Sequence, residues 1–278
     1  MLTLDRTELL ITHRCTLKCK LCGNYSPLYV PAPEWSFEQL ADYLDLYFEV
    51  VDKVQKLTLS GGEPLMHPQL EILITYLQKY RNRIGLLELI TNGTLVPKAV
   101  LLDAMQAFGN VKVIIDNYGP QLSTQVSQAE SAFASHGIFY ETRKYFGKDA
   151  YYSGWLDMTD LADKHRTPAD DTAVYASCIF SQHFQRCIIA DGRIYICAVG
   201  RRLNELGVLK TNHDYLDLTD DKLTIRDKQK ILQSFFERDS FESCHYCNGF
   251  CMDRPRYVPA EQLEKPLAND TSENHDHE

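Results

Sequence analysis

The 278-residue sequence has no uninterrupted apolar stretch of the roughly 20 residues that a spanning helix takes. Its start shows no basic segment followed by an apolar core, so it does not read as a secretory signal. Positive charge is also scarce: 29 Lys and Arg stand against 38 Asp and Glu, for a net charge of −9 and a pI near 5.5. Proteins that track phosphate backbones present a basic patch or stripe, so neither nucleic acid nor a membrane is an expected partner, and the expected location is cytoplasmic. Basic pairs such as Arg201-Arg202 read as solvated surface. With 44% hydrophobic and 24% charged residues the composition is that of a globular protein. A chain of this length accommodates one α/β barrel and a small annex.

What the sequence does have is cysteine, nine in all. In a reducing compartment these point to metal or redox ligands rather than disulfides. Cys15, Cys19 and Cys22 follow the apolar run Leu9-Leu10-Ile11 with the spacing Cys-x3-Cys-x2-Cys. A [4Fe-4S] cube normally takes four thiolates, so a loop with three leaves one iron open; a zinc knuckle is the other reading of such a cluster. Leu57 to Leu65 then reads as a strand ending in the turn Gly61-Gly62-Glu63-Pro64, where bare glycines let backbone approach a ligand closely. Leu89 to Thr94 is a second strand end, closing on Thr91-Asn92-Gly93.

Together, in this order, the three motifs resemble the radical SAM enzyme superfamily. The resemblance implies that Cys15, Cys19 and Cys22 hold a SAM-cleaving [4Fe-4S] cluster and that S-adenosylmethionine (SAM) takes the open iron. Gly61, Gly62 and Glu63 are then expected at the SAM amino group with Asn92 close by, Asn117 at its ribose and Arg143 at its carboxylate. A flavodoxin- or ferredoxin-type electron donor follows from the same resemblance. Before the third cysteine, where the family usually has an aromatic residue, this chain has Leu21, which leaves Tyr25 as the candidate for stacking on adenine.

Alternating apolar runs and amphipathic segments predict strands at 9–12, 56–59, 86–90, 111–116 and 138–142, with helices at about 37–54, 68–80, 97–108 and 123–136. Ser36 with Gln39 has the spacing of a capping box, and Pro68 and Pro97 suit first-turn positions. Such alternation argues for a parallel sheet with function at the C-terminal ends of its strands. The expected class is α/β: a partial (β/α)6 TIM-like barrel over residues 1–155, a loop or lid at 156–176, a hairpin-plus-helix annex at 177–255 and a tail at 256–278, disordered from Thr271.

Six cysteines remain: Cys178, Cys187, Cys197, Cys244, Cys247 and Cys251. Asp191-Gly192 between two apolar arms signals a hairpin that brings Cys187 and Cys197 together, and Cys244-x-x-Cys247 adds two thiols of a kind that serves zinc or iron. The set resembles the Twitch domain, the shortened relative of the SPASM domain, and so implies an auxiliary [4Fe-4S] cluster. Its expected ligands are Cys187, Cys197, Cys244 and Cys247, leaving Cys251 and Cys178 as candidate hydrogen-atom donors. The resemblance implies hydrogen abstraction, and the short lead into the first strand, without room for a leader-binding domain, tilts the expected substrate to a small polar molecule of the sugar or cyclitol type, dehydrogenated or epimerised. A ribosomal peptide that is epimerised or crosslinked is the close alternative, and a non-catalytic SAM-sensing protein the remote one.

Overall fold

The computed structural model describes residues 1–182 and 186–264, so the expected disorder from Thr271 falls outside the described residues. Five strands run in sequence order across a parallel sheet: β1 (Thr3–Thr12), β2 (Lys53–Gly61), β3 (Ile84–Thr91), β4 (Val111–Asn117) and β5 (Phe139–Lys144). They are joined through α1 (Phe37–Val50), α2 (Leu70–Tyr76), α3 (Ala99–Phe108) and α4 (Val126–Ser135). A sixth strand, β6 (Arg186–Ala190), lies parallel to β1 on its other side, and β7 (Arg193–Tyr195) and β8 (Tyr215–Asp217) continue antiparallel from it. The sheet order is therefore β5-β4-β3-β2-β1-β6-β7-β8, and the annex expected from residue 177 extends the barrel sheet rather than interrupting it.

Among the described residues, four further α-helices follow: α5 (Pro168–Ser177), α6 (Ile179–Gln182), α7 (Ala198–Glu205) and α8 (Ile225–Phe235). The segment read as a loop or lid contains α5. Thr167 caps it, accepting from the Asp170 amide while the Asp170 side chain accepts from the Thr167 amide, and Pro168 sits at its first position. The Asp- and Thr-rich composition is thus partly the signature of a helix start. The capping box at Ser36 and Gln39 is present as expected.

Strands β1 and β2 begin six and three residues earlier than their apolar runs. Most of the extra residues are polar, and Arg6 and Glu8 among them face the barrel interior, where charges occur in pairs. Arg6 meets Glu88 at 2.9 Å, Lys56 meets Glu88 at 3.3 Å, Lys112 meets Glu141 at 2.6 Å, and Arg186 pairs with Glu8. The opposite face carries the apolar core beneath the helices, where Leu9, Leu57, Leu59 and Val113 are fully buried. At the annex hairpin, Asp191 and Gly192 have φ of +51° and +70° and join the ladder residues Ala190 and Arg193, the two-residue turn that Asp-Gly favours.

Candidate active site

Past the C-terminal end of β1 the chain keeps parallel company with β2. The Gly62 amide donates to the Thr12 carbonyl at 2.7 Å and the Glu63 amide to the Arg14 carbonyl at 2.8 Å. A methyl group on Gly62 would lie 2.2 Å from the Arg14 oxygen, so only glycine lets the turn lie against the start of the cysteine loop. Cys15, Cys19 and Cys22 then line one rim of a cavity of roughly 520 Å3, with Gly61, Gly62 and Asn92 beside them and the ion pairs of the strands as its floor.

The three thiols are only partly exposed, and burial pushes Cys15 up to about 11 and Cys19 up to about 12. Protein alone thus disfavours the thiolates of Cys15 and Cys19; bound cationic metal reverses that balance. N–H donors already aim at sulfur: the Leu17 amide and the Asn92 amide nitrogen at Cys15 Sγ, 3.4 and 3.6 Å away, and the Gln262 Nε2 at Cys19 Sγ, 3.4 Å away. Donors to sulfur are what iron-sulfur thiolates accept, so the residues present fit such a cluster. Among the described residues, no three His, Cys, Asp or Glu side chains are placed to hold a single metal ion.

Several expected contacts are corrected by the geometry. Glu63 faces inward: its carboxylate accepts from the Leu65 amide, the Thr91 hydroxyl and the Asn92 amide at 3.0, 2.8 and 2.7 Å, and it is fully buried. It therefore ties the β2 turn to the end of β3 and is absent from the cavity lining. Asn92 does line the cavity, with its amide nitrogen also 3.0 Å from the Thr16 hydroxyl. Asn117 is turned away, its Oδ1 accepting from the Gly119 amide at 2.9 Å, and the neighbour that lines the cavity is Asp116. Strand alternation carries the reason, since Ile114 and Asp116 share one face while Asn117 takes the other. Arg143 lines the cavity as expected, but Asp116 grips it with bonds of 2.6 and 2.8 Å.

Tyr25 is 1% exposed with its hydroxyl on the Met158 carbonyl, so it does not stack in the cavity. Aromatic surface comes instead from residues the sequence did not single out. Tyr118 packs with Tyr145 and Trp155 at ring separations of 5.4 and 5.5 Å, all three on the cavity wall. Nor is Arg201 a surface residue. It is 1% exposed and donates to His13 Nε2, Tyr29, Glu205 and the Asn24 carbonyl, joining α7 to the cysteine loop.

The second set of thiols gathers beyond α7. Cys187 lies on β6 opposite Thr7 of β1, with its sulfur 3.3 Å from the Thr7 hydroxyl, whose other partner is Tyr47 of α1. It is fully buried in the helix-facing core, and no other cysteine contributes to the burial-driven rise of its thiol to about 12. Cys197, by contrast, caps α7, and Cys247, Cys244 and Cys178 all act on it in addition to burial. Burial and then Cys178 raise Cys247 to about 11, and burial, then Cys247, Asp214 and Cys178, raise Cys244 to about 12. The Gly200 and Gly249 amides point at Cys197 and Cys247 sulfurs, 3.3 and 3.2 Å away. Arg166 holds the Cys244 and Cys247 carbonyls at 3.0 and 2.8 Å. Cys178, Cys244 and Cys247 thus lie near enough to act on the Cys197 thiol, and Cys178 and Cys251 near enough to act on that of Cys247. Neither expected hydrogen donor reaches the cavity: Cys178 sits in this group, and Cys251 is 1% exposed with its thiol toward the Val174 carbonyl.

Residues 9–121 match the family model described as Radical SAM superfamily. A GTP 3',8-cyclase from Sulfurovum sp. (strain NBC37-1) is 28% identical over 130 residues, which are 46% of this chain and 39% of that protein. A PqqA peptide cyclase from Streptomyces rochei is 31% identical over 162 residues, 58% of this chain and 41% of that protein. These alignments span about two fifths of the length of the curated relatives. Among solved structures, BtrN in complex with AdoMet and 2-DOIA superimposes with a TM-score of 0.51 at 16% identity, covering 93% of this chain and 100% of that one. At that identity the likeness is one of fold, and it extends through the annex. The motifs, the strand-end geometry and the family match agree, and the chain carries a radical SAM domain over residues 9–121.

Proposed function

We propose that the chain binds a [4Fe-4S] cluster through Cys15, Cys19 and Cys22, cleaves SAM there and abstracts a hydrogen atom from a small polar substrate. The observation that carries this reading is the cavity itself, with three thiols and two bare glycines at one rim and paired charges along its floor. Such a cluster supplies one electron to the reductive cleavage of SAM, which yields methionine and a 5'-deoxyadenosyl radical. The electron comes from a flavodoxin- or ferredoxin-type donor. Asn92 orients the cysteine loop through Cys15 and Thr16, while the Gly61-Gly62 backbone offers the SAM amino group a surface without side chains. The Tyr118, Tyr145 and Trp155 wall excludes water and supplies apolar faces for adenine. Held by Asp116, Arg143 is preorganised to present a guanidinium edge rather than a mobile charge.

Residues 177–255 serve as the annex in this reading, and an auxiliary [4Fe-4S] cluster takes Cys178, Cys197, Cys244 and Cys247. Cys197 also lines the main cavity, so an electron leaving the substrate has a short way to that group, which favours net oxidation. With no thiol other than Cys197 and the rim cysteines on the cavity wall, epimerisation by a cysteine donor loses its support. The paired charges of the floor favour a hydroxylated or amino-bearing small molecule, since buried ion pairs reject an apolar side chain. Peptide modification is the second reading, favoured by the alignment with the peptide cyclase.

Anaerobically reconstituted protein, given SAM and a strong reductant, should form 5'-deoxyadenosine. Replacing Cys15, Cys19 and Cys22 together by Ala should remove about four irons per chain and abolish the product. Deoxyadenosine from the triple variant would refute the assignment.

A further inference from the structure

Residues 257–263 return from the annex to the mouth of the barrel and pair with it twice. Tyr257 and Trp155 exchange backbone hydrogen bonds of 2.9 and 2.8 Å. A few residues later the Lys20 amide donates to the Glu261 carbonyl at 2.7 Å and the Leu263 amide to the Lys18 carbonyl at 2.8 Å, which sets Gln262 directly across from Cys19. Between these contacts Ala260, 1% exposed, packs with Leu17 and Cys19.

The Gln262 side chain completes the pairing. Its Oε1 accepts from the Lys18 amide at 2.7 Å, and its Nε2 donates to Cys19 Sγ at 3.4 Å and to the Ala260 carbonyl at 2.7 Å. The orientation is determined by chemistry: the Lys18 N–H requires an acceptor and the Ala260 carbonyl a donor, so nitrogen must face the sulfur. Both amide hydrogens then have separate acceptors. Cys19 is 8% exposed, the only buried thiol of the three on its loop.

We propose that Gln262 is a positioning residue for the SAM-cleaving cluster, donating to the Cys19 thiolate, and that residues 257–263 form a strap that shields this corner of the cluster from solvent and oxidants. The inference rests on the reading that Cys15, Cys19 and Cys22 ligate that cluster. Reduction adds one negative charge to the cluster and its thiolates, so an N–H aimed at sulfur stabilises the reduced form more than the oxidised one. Hydrogen bonds to sulfur and exposure to solvent are among the factors that set such potentials. The strap therefore raises the potential of the couple and eases its reduction.

The test compares the anaerobically reconstituted full chain with Gln262→Leu and Gln262→Glu. The first removes both polar atoms, while the second keeps the acceptor for Lys18 and removes the donor to sulfur and to the Ala260 carbonyl. The signal of the reduced SAM-cleaving cluster is identified in electron paramagnetic resonance by its change on adding SAM, and its midpoint is read by redox titration. Both variants should retain iron and the far-ultraviolet spectrum of the parent, and both midpoints should move to more negative values, Gln262→Glu further because it adds a charge. On exposure to air the visible absorbance should bleach several-fold faster in Gln262→Leu. Midpoints and bleaching rates equal to the parent's in both variants overturn this inference alone. A parent protein with no SAM-responsive signal overturns the underlying reading and this inference with it.

Discussion

Cys187 and Cys178 show how one residue's direction decides its chemistry. In sequence both precede the Asp191-Gly192 turn, and Cys187 looks the better ligand because it stands on the hairpin arm. That arm, however, continues the barrel sheet beside β1, and its alternation turns Cys187 toward Thr7 and Tyr47 under α1. Cys178, at the end of α5, lies near enough to act on the thiols of Cys197, Cys244 and Cys247. Cys187→Ala should keep the full iron content and cost about 1 kcal/mol of stability for a lost buried sulfur. Cys178→Ala should lose about four irons. Iron analysis with urea denaturation checks both, and retention of iron by Cys178→Ala would refute the revised ligand set. The hairpin was legible because its turn chemistry is local. The face on which each thiol emerges was not, because it depends on which strand β6 pairs with at a separation of 178 positions.

At the scale of elements, Glu63 couples the turn after β2 to the end of β3. The motif around it was readable, and so was its place at a strand end. Its inward direction was not, since nothing local reveals that three donors from two elements converge on it. Burial raises Glu63 to about 7 against those hydrogen bonds. With the folded value above the unfolded one of 4.5, the native state holds the extra proton between about pH 4.5 and 7. This contribution to stability is therefore complete below pH 4.5 and is lost as pH rises through 7, at roughly 1.4 kcal/mol per unit within the window. Urea midpoints measured from pH 5 to pH 7 should show this decline in the parent and a flatter profile in Glu63→Gln. Identical slopes in the two proteins would contradict it. The early start of β1 was hidden for a related reason, since Arg6 and Glu8 are strand residues whose charges find partners only on other strands of the sheet.

For the molecule as a whole, Arg201 is the clearest link between its parts. From α7 it reaches His13, Asn24 and Tyr29, so the helix that carries Cys197 is fastened to the loop that carries Cys15 through Cys22. Next to Arg202 in the sequence it reads as surface, and only the docking of α7 on the barrel buries it. Arg201→Met should lower the unfolding free energy by about 2 kcal/mol, because it leaves the buried His13 ring and the Asn24 carbonyl without their donor while Glu205 keeps Arg202. Denaturant unfolding of the metal-free protein measures this, and a loss under about 1 kcal/mol would show that the link carries little. The strap at 257–263 has a consequence for the order in which the molecule is completed. Gln262 meets residues 18 and 19 across 244 and 243 positions of chain, a closure that forms late because its entropy must be met before its contacts reward it. The rim around Cys19 is consequently the last part of the barrel to shut, and iron delivered to the nascent protein encounters an open loop that the finished fold seals behind it.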